Sequence, residues 1–264
     1  MVIEELYLDL LKKELMGIGG KEYKPARGRL MTLLKPLLKL SRTPFLDIAQ
    51  LIPDMDDLKI QGRGFSDASY TMIGLKRLNN IQELYRAVRA DDIQGDLLEA
   101  GVWRGGASIF MRALLACHQD QTRKVWVADS FQGFPPSENE WDQQIPWQQF
   151  KSLAVSLGTV KSNFSYFNLL DNQVKFLKGW FKDTLPTADI SSLAILRLDG
   201  DLYASTMDVL HNLYAKVSKG GFIIVDDYYS VEGCQQAVTE FREMHNISTT
   251  LHTIDWTAVY WRKE

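Results

Sequence analysis

From residue 96 onward, short apolar runs alternate with longer amphipathic stretches, and that alternation restricts the chain to a parallel sheet covered by helices. The runs are Asp96–Ala100, Val125–Asp129, Val174–Lys178, Ala194–Asp199 and Phe222–Asp226, with helices expected at 106–118, 151–166, 203–217 and 231–245. Two further runs, Thr250–Ile254 and Ala258–Trp261, lie close together and fit an antiparallel, hairpin-like edge. Upstream, helical spacing covers 3–16 and stops at Gly17, Gly19 and Gly20. Residues 21–44 are basic and Leu-rich; a membrane-surface helix would read this way, but a packing helix broken by Pro36 is the plainer expectation. Residues 45–66 read as loop and short helix, and a long helix is expected over 71–90.

The bulk numbers narrow the function classes. A chain of 264 residues, 45% hydrophobic and 24% charged, can bury one large α/β core. A net charge of −3 and the lack of a basic run interleaved with aromatics argue against a nucleic-acid partner. No apolar run is long enough to span a bilayer, so stable membrane insertion is not expected. Cys117 and Cys234 each fall inside an expected helix and read as two buried thiols in a reducing compartment. With no basic leader and apolar segment at the N-terminus, the cytoplasm is the expected location.

Strand ends carry the chemistry. The first strand runs into Glu99-Ala-Gly-Val-Trp-Arg-Gly-Gly106. Gly101 would let the backbone turn sharply there, and Gly105 and Gly106 would let a ligand approach the helix N-terminus, where free N–H groups gather. Glu99 would suit a cationic amino group. A plain tight βα turn would look similar, and the spacing is not the G-x-G-x-x-G of a dinucleotide fold. The second strand closes with Asp129-Ser130-Phe131-Gln132-Gly133. An acid at that position typically accepts hydrogen bonds from ribose hydroxyls, although it can also cap a turn. Gly179-Trp180-Phe181 follows the third strand; an aromatic there could pack on a base or plug the core.

Leu198-Asp199-Gly200-Asp201 and Val225-Asp226-Asp227-Tyr228 end two strands expected near the middle of the sheet. As many as four carboxylates would converge and raise one another's pKa, a conflict that Mg²⁺ with its oxygen ligands resolves. One geometric condition applies. Neighbours in a regular strand point to opposite faces, so Asp226 and Asp227 can share a metal only if the strand has already ended. Asp201 could instead cap the helix at 203, and Asp227 could be a turn residue. Such a metal would lower the pKa of an acceptor hydroxyl, and Asp201 is placed to take the proton.

These segments together resemble the macrocin O-methyltransferase (TylF-type) family, whose members methylate sugar hydroxyls on macrolide, aminocoumarin and related natural products. The resemblance runs from about Tyr70 to Arg262 through TMIGLKRLNN, EAGVWRGGASIF, VWVADSFQGFP, FLKGWFKDTLPTA, LRLDGDLYASTMDVL and GGFIIVDDY. It implies a class I methyltransferase, a Rossmann-like seven-stranded sheet, preceded by a helical N-terminal extension (1–70, for lid or dimer contacts) and carrying an acceptor lid at 134–152. It implies S-adenosylmethionine, held by Met72 from the first segment, by Glu99, Gly101 and Ser108 around the first strand end, by Asp129, Ser130 and Gly133 after the second, and by Gly179 and Trp180 after the third. It also implies Mg²⁺ on Asp199, Asp226 and Asp227, with Asp201 as general base and Asp199 beside it in catalysis. The expected partners are a small-molecule acceptor with a hydroxyl group and a second copy of the chain in a homodimer. The expected acceptor is a glycosylated natural product, with a non-sugar hydroxyl of a polyketide, peptide or lipid product as the alternative. The chain departs from the family in two places. Tyr70 stands where close matches have His, and the lid has Trp141 and Trp147 but no His. Those tryptophans could stack on an acceptor or close a hydrophobic seam.

Overall fold

The computed structural model describes residues 3–18, 55–137 and 139–264. The Leu-rich stretch at 21–44 and residues 45–54 lie outside the described residues. Each apolar run from 96 onward forms a strand: β1 (Asp96–Ala100), β2 (Val125–Asp129), β3 (Val174–Lys178), β4 (Leu193–Leu198), β5 (Val217–Val225), β6 (His252–Thr253) and β7 (Val259–Arg262). They build one sheet in the order β3-β2-β1-β4-β5-β7-β6. β1 to β5 are parallel, while β7 runs antiparallel between β5 and β6. The order reverses beside β1, which opens a crevice at the carboxyl ends of β1 and β4, where α/β sheets bind ligands.

The helices are α1 (Ile3–Met16), α2 (Met55–Ile60), α3 (Leu75–Ala90), α4 (Gly106–Cys117), α5 (Glu140–Gln143), α6 (Leu157–Tyr166), α7 (Phe181–Thr184), α8 (Tyr203–Leu213) and α9 (Glu232–Met244). Strand alternation sorts the core into two layers. Leu97, Val127, Ile195 and Ile224 face a cluster that includes Leu8 and Leu15 of α1, Leu78 of α3 and Phe110 of α4. Leu98, Trp126, Leu196 and Ile223 face the opposite cluster with Leu210 of α8 and Phe241 of α9. Thus α1 shares the core of the sheet instead of forming a separate layer.

Several boundaries differ from the periodicity. Residues 71–74 stay out of α3 because the Tyr70 and Thr71 amides both donate to the Leu15 carbonyl, at 2.8 and 3.1 Å. The expected helix at 151–166 begins only at Leu157, where the Ser156 hydroxyl accepts from the Thr159 amide at 3.1 Å. α8 ends at Leu213 and β5 already begins at Val217, so the expected overlap of 203–217 with a helix gives way to strand. Cys117 is half-buried, unlike the fully buried Cys234.

Candidate active site

The chain crosses from β1 to α4 through a turn that only glycine fits at Gly101. Its φ is +86°, and a Cβ there would stand 1.8 Å from the Asp199 carbonyl oxygen. The Asp199 amide in turn donates to the Ala100 carbonyl at 2.8 Å, so the ends of β1 and β4 are locked side by side. Gly106 serves a different purpose from the expected one. Its amide donates to the Tyr70 carbonyl at 3.0 Å, and a Cβ would collide with that carbonyl at 2.5 Å. The close approach is by the chain's own 70–71 segment, so this end of α4 is not open to a ligand. Tyr70 packs there against Tyr166 and Phe167, with ring centroids 6.0 and 5.0 Å away.

Glu99 turns inward. One carboxylate oxygen accepts from Arg197 at 2.6 Å and the other accepts from the Ser108 hydroxyl. Burial pushes this carboxyl up to about 7 against the pull of Arg197 and Ser108. Asp129 accepts from the Val102 amide at 2.8 Å and the Phe131 amide at 2.6 Å, and burial likewise raises its pKa. Ser130 closes its own turn, its hydroxyl donating to the Gly133 carbonyl at 2.7 Å.

The second group of acids meets the geometric condition. β5 ends at Val225, and Asp226 and Asp227 lie beyond it. Carboxylate oxygens of Asp199, Asp226 and Asp227 all fall within 4.8 Å of one another. Two arginines pair part of this charge. Arg197 donates to Asp199 at 2.7 Å and to Asp226, in addition to Glu99. Arg77 donates to the other Asp226 oxygen and to Asp255 at 2.9 Å. Asp227 keeps a buried oxygen, Oδ2, without any hydrogen-bond partner. Burial raises the pKa of Asp199, Asp201 and Asp227, and the neighbouring carboxylates add to the rise. An oxygen-only donor set with an orphaned buried carboxylate oxygen is what a hard divalent cation would satisfy.

Both regions open on one cavity. Met72, Gly101, Asp129, Ser130, Gly133, Gly179 and Trp180 line it, and Asp199 and Asp201 complete its wall. Glu99 and Ser108 are fully enclosed, paired with each other, and do not reach it. Asp226 and Asp227 are not on the wall either; they adjoin Asp199. The far end is walled by Phe134, Pro135, Pro136 and Leu153 from one segment, and by Phe181, Ala204, Ser205 and Asp208. Trp147 is buried at 7% exposure in a seam with Phe134 and Phe150, at centroid distances of 4.9 and 6.1 Å. Neither Trp147 nor Trp141 lines the cavity.

Asp201 does not cap α8. The N-cap position is Leu202, which has no capping side chain. The carboxylate of Asp142 does that work from another segment, accepting from the Tyr203 and Ala204 amides at 2.7 and 3.1 Å. Asp201 itself adopts a left-handed conformation, φ +55°. Arg77, Arg197, Asp142 and Asp255 escaped the sequence reading. Arg197 alone left a signal there: it is a lone cation in an apolar run, two residues before Asp199 and hence on the same side of the strand.

A family profile described as macrocin-O-methyltransferase (TylF) matches residues 4–263. A mycinamicin III 3''-O-methyltransferase from Micromonospora griseorubida is 42% identical, covering 98% of this chain and 96% of its own. An 8-demethyl-8-(2,3-dimethoxy-alpha-L-rhamnosyl)-tetracenomycin-C 4'-O-methyltransferase from Streptomyces olivaceus is 49% identical over 80% of this chain and 81% of its own. Among solved structures, the O-methyltransferase NovP superposes with a TM-score of 0.82 at 44% identity, covering 98% of this chain and 99% of that one. The chain therefore belongs to the macrocin-O-methyltransferase family and is an O-methyltransferase on a Rossmann-like α/β fold.

Proposed function

We propose that this enzyme transfers a methyl group from S-adenosylmethionine to a hydroxyl of a glycosylated natural product, with Mg²⁺ bound by Asp199, Asp226 and Asp227. The observation that carries this is the shared cavity. The ends of β1, β2 and β3, with Gly101, Asp129 and Trp180, line part of its wall, and the Asp199 end of the carboxylate cluster lines another. The relatives support the acceptor class, because one is named for methylating a rhamnosyl-bearing tetracenomycin at its 4' position and the other for methylating mycinamicin III at its 3'' position. Cytoplasmic residence belongs to the same reading. So does a homodimer, which has its support in the exposed apolar residues Ile3, Leu6, Tyr7 and Leu10 of α1.

When bound, the cofactor supplies an electrophilic methyl on sulfur, and the divalent cation supplies a Lewis-acid contact that lowers the acceptor hydroxyl's pKa. The chain's own residues do the rest. Asp129 is fixed by two backbone amides and offers its remaining lone pairs to ribose hydroxyls. Gly179 and Trp180 flank the adenine end, while Met72, Gly101, Ser130 and Gly133 shape the wall between. Glu99 and Ser108 act from inside, holding the turn through Arg197. Asp201 is the residue that would take the acceptor hydroxyl's proton during transfer. Burial, with the neighbouring carboxylates, raises the pKa of Asp201. The 134–152 segment covers the acceptor, and its buried Trp147 is part of the cover instead of a stacking platform.

The test is methyl transfer from labelled S-adenosylmethionine to a panel of glycosides and their aglycones, with and without Mg²⁺. Label on glycosides in the Mg²⁺ arm is expected. Transfer to aglycones alone would move the acceptor to a non-sugar hydroxyl, and equal transfer after chelation would remove the metal.

A further inference from the structure

Asp142 sits on α5, inside the segment that walls the far end of the cavity, and it is only 2% exposed. A carboxylate so enclosed needs strong partners. Its partners are the first amides of α8, Tyr203 N–H at 2.7 Å and Ala204 N–H at 3.1 Å, together with the Asn139 side-chain amide at 2.6 Å. Its own amide donates back to Asn139 Oδ1 at 2.9 Å. α8 has no capping side chain of its own, so its N-terminus depends on a residue 61 positions earlier in the chain.

What that N-terminus holds matters more than the cap itself. Tyr203 and Ala204 follow directly on Asp199-Gly200-Asp201-Leu202. The connecting loop is tight: the Leu202 amide donates to the Gly200 carbonyl at 2.6 Å, and Asp201 is held in a left-handed conformation that a non-glycine residue adopts at a cost. One turn further, Ala204, Ser205 and Asp208 form cavity wall. The neighbour of Asp142, Trp141, rests against the start of α9, since a Cβ on Gly233 would lie 3.3 Å from the Trp141 and Tyr203 Cβ atoms alike. α9 follows the Asp226-Asp227 loop. α5 is thus seated on the first turns of both helices that leave the carboxylate loops.

We propose that Asp142 is a positioning residue that ties closure of the 134–152 segment to the geometry of the Asp199–Asp201 loop. With the segment seated, the loop is pinned and its carboxylates converge. With it lifted, α8 loses its first two hydrogen-bond acceptors and the loop is released. This rests on the reading of Asp199, Asp226 and Asp227 as a divalent-cation site.

The experiment uses the full-length chain and its Asp142→Ala and Asp142→Asn variants, without acceptor. Mn²⁺ binding is followed by electron paramagnetic resonance, S-adenosylhomocysteine binding by calorimetry, and amide hydrogen exchange over 199–206. Asp142→Ala is expected to weaken Mn²⁺ about tenfold, as loss of an outer-shell partner does. Exchange should accelerate through Asp199–Asp201 as well as at Tyr203 and Ala204, with S-adenosylhomocysteine affinity unchanged. Asp142→Asn, which keeps one acceptor oxygen, should lie between the two and also serves if the alanine variant does not fold. Unchanged Mn²⁺ affinity with faster exchange confined to Tyr203 and Ala204 would reduce Asp142 to a helix cap and overturn the proposal. If the wild-type chain binds no Mn²⁺, the metal reading fails by itself. Exchange at Asp199–Asp201 then decides on Asp142: acceleration upholds the link, and wild-type exchange there ends it.

Discussion

Acids end the strands on both sides of the switch point, yet they are treated differently. At the ends of β1 and β2, Glu99 and Asp129 have each carboxylate oxygen occupied: Glu99 by Arg197 and Ser108, Asp129 by the amides of Val102 and Phe131. At the ends of β4 and β5, Arg197 and Arg77 serve Asp199 and Asp226, but Asp227 keeps a buried oxygen with no partner and Asp201 gains only like-charged neighbours. All are carboxylates at the carboxyl ends of parallel strands, Glu99 and Asp129 within β1 and β2, and Asp199, Asp226 and Asp227 just beyond β4 and β5. Donors from the protein fix the first pair in place, Glu99 wholly enclosed and Asp129 still facing the cavity. Incomplete saturation in the second set is what the proposed cation site rests on.

Arg197 is the one group common to both sides, so its removal should break the comparison most severely. Arg197→Met would strand Glu99, Asp199 and Asp226 on one face, and a loss of about 3–5 kcal/mol is expected for breaking a buried ionic set. Urea denaturation measures it; a loss below about 1 kcal/mol would show that the acids accommodate without the guanidinium. Asp199→Asn should separate the two sides functionally. Mg²⁺-dependent transfer should fall by roughly a hundredfold or more, as when a group that stabilises developing charge is removed. Calorimetry should show S-adenosylhomocysteine affinity retained, and full activity would remove the metal role of that residue.

Proton linkage sharpens the contrast further. Glu99 is pushed up to about 7, and Asp199, Asp201 and Asp227 are raised as well. A raised acid binds its proton more tightly in the folded chain than in the unfolded one, so stability is full below the ordinary carboxylate range and falls as pH rises through the folded pKa. Denaturation of the chelated protein between about pH 4.5 and 7 should therefore show declining stability. Saturating Mg²⁺ should relieve the part due to the aspartates and leave the part due to Glu99. The smallest effect is expected from Ser108→Ala. It removes one hydrogen bond to a buried carboxylate and should cost about 1.5–3 kcal/mol at most, with little change in Mg²⁺ response.

The parallel strands were legible because each holds a short apolar run, buried throughout only in β4, and the DGD and DDY segments follow β4 and β5. Their convergence followed from strand order alone. The pairings were hidden. Arg77 reaches Asp226 across 149 residues, and Asp142 reaches Tyr203 across 61, with no periodicity linking either pair. The Gly105-Gly106 pair looked like a ligand cradle, since a glycine says only that something comes close. At Gly106 it is the Tyr70 carbonyl, and at Gly105 the Val160 side chain. Likewise, Trp147 could have faced an acceptor or a seam, and the packing of Phe134 and Phe150 against it decided for the seam.

By itself, then, the sequence determined the alternation of strands and helices and the acids at the strand ends, because local periodicity and turn chemistry govern those, whereas the strand order with its switch point is set by long-range pairing. Which acids are neutralised from within and which are left exposed to a cofactor, a cation or a proton was decided only in three dimensions. A carboxylate's character depends on the donors within about 3 Å of it, and here those donors arrive on arginines from α3 and from β4.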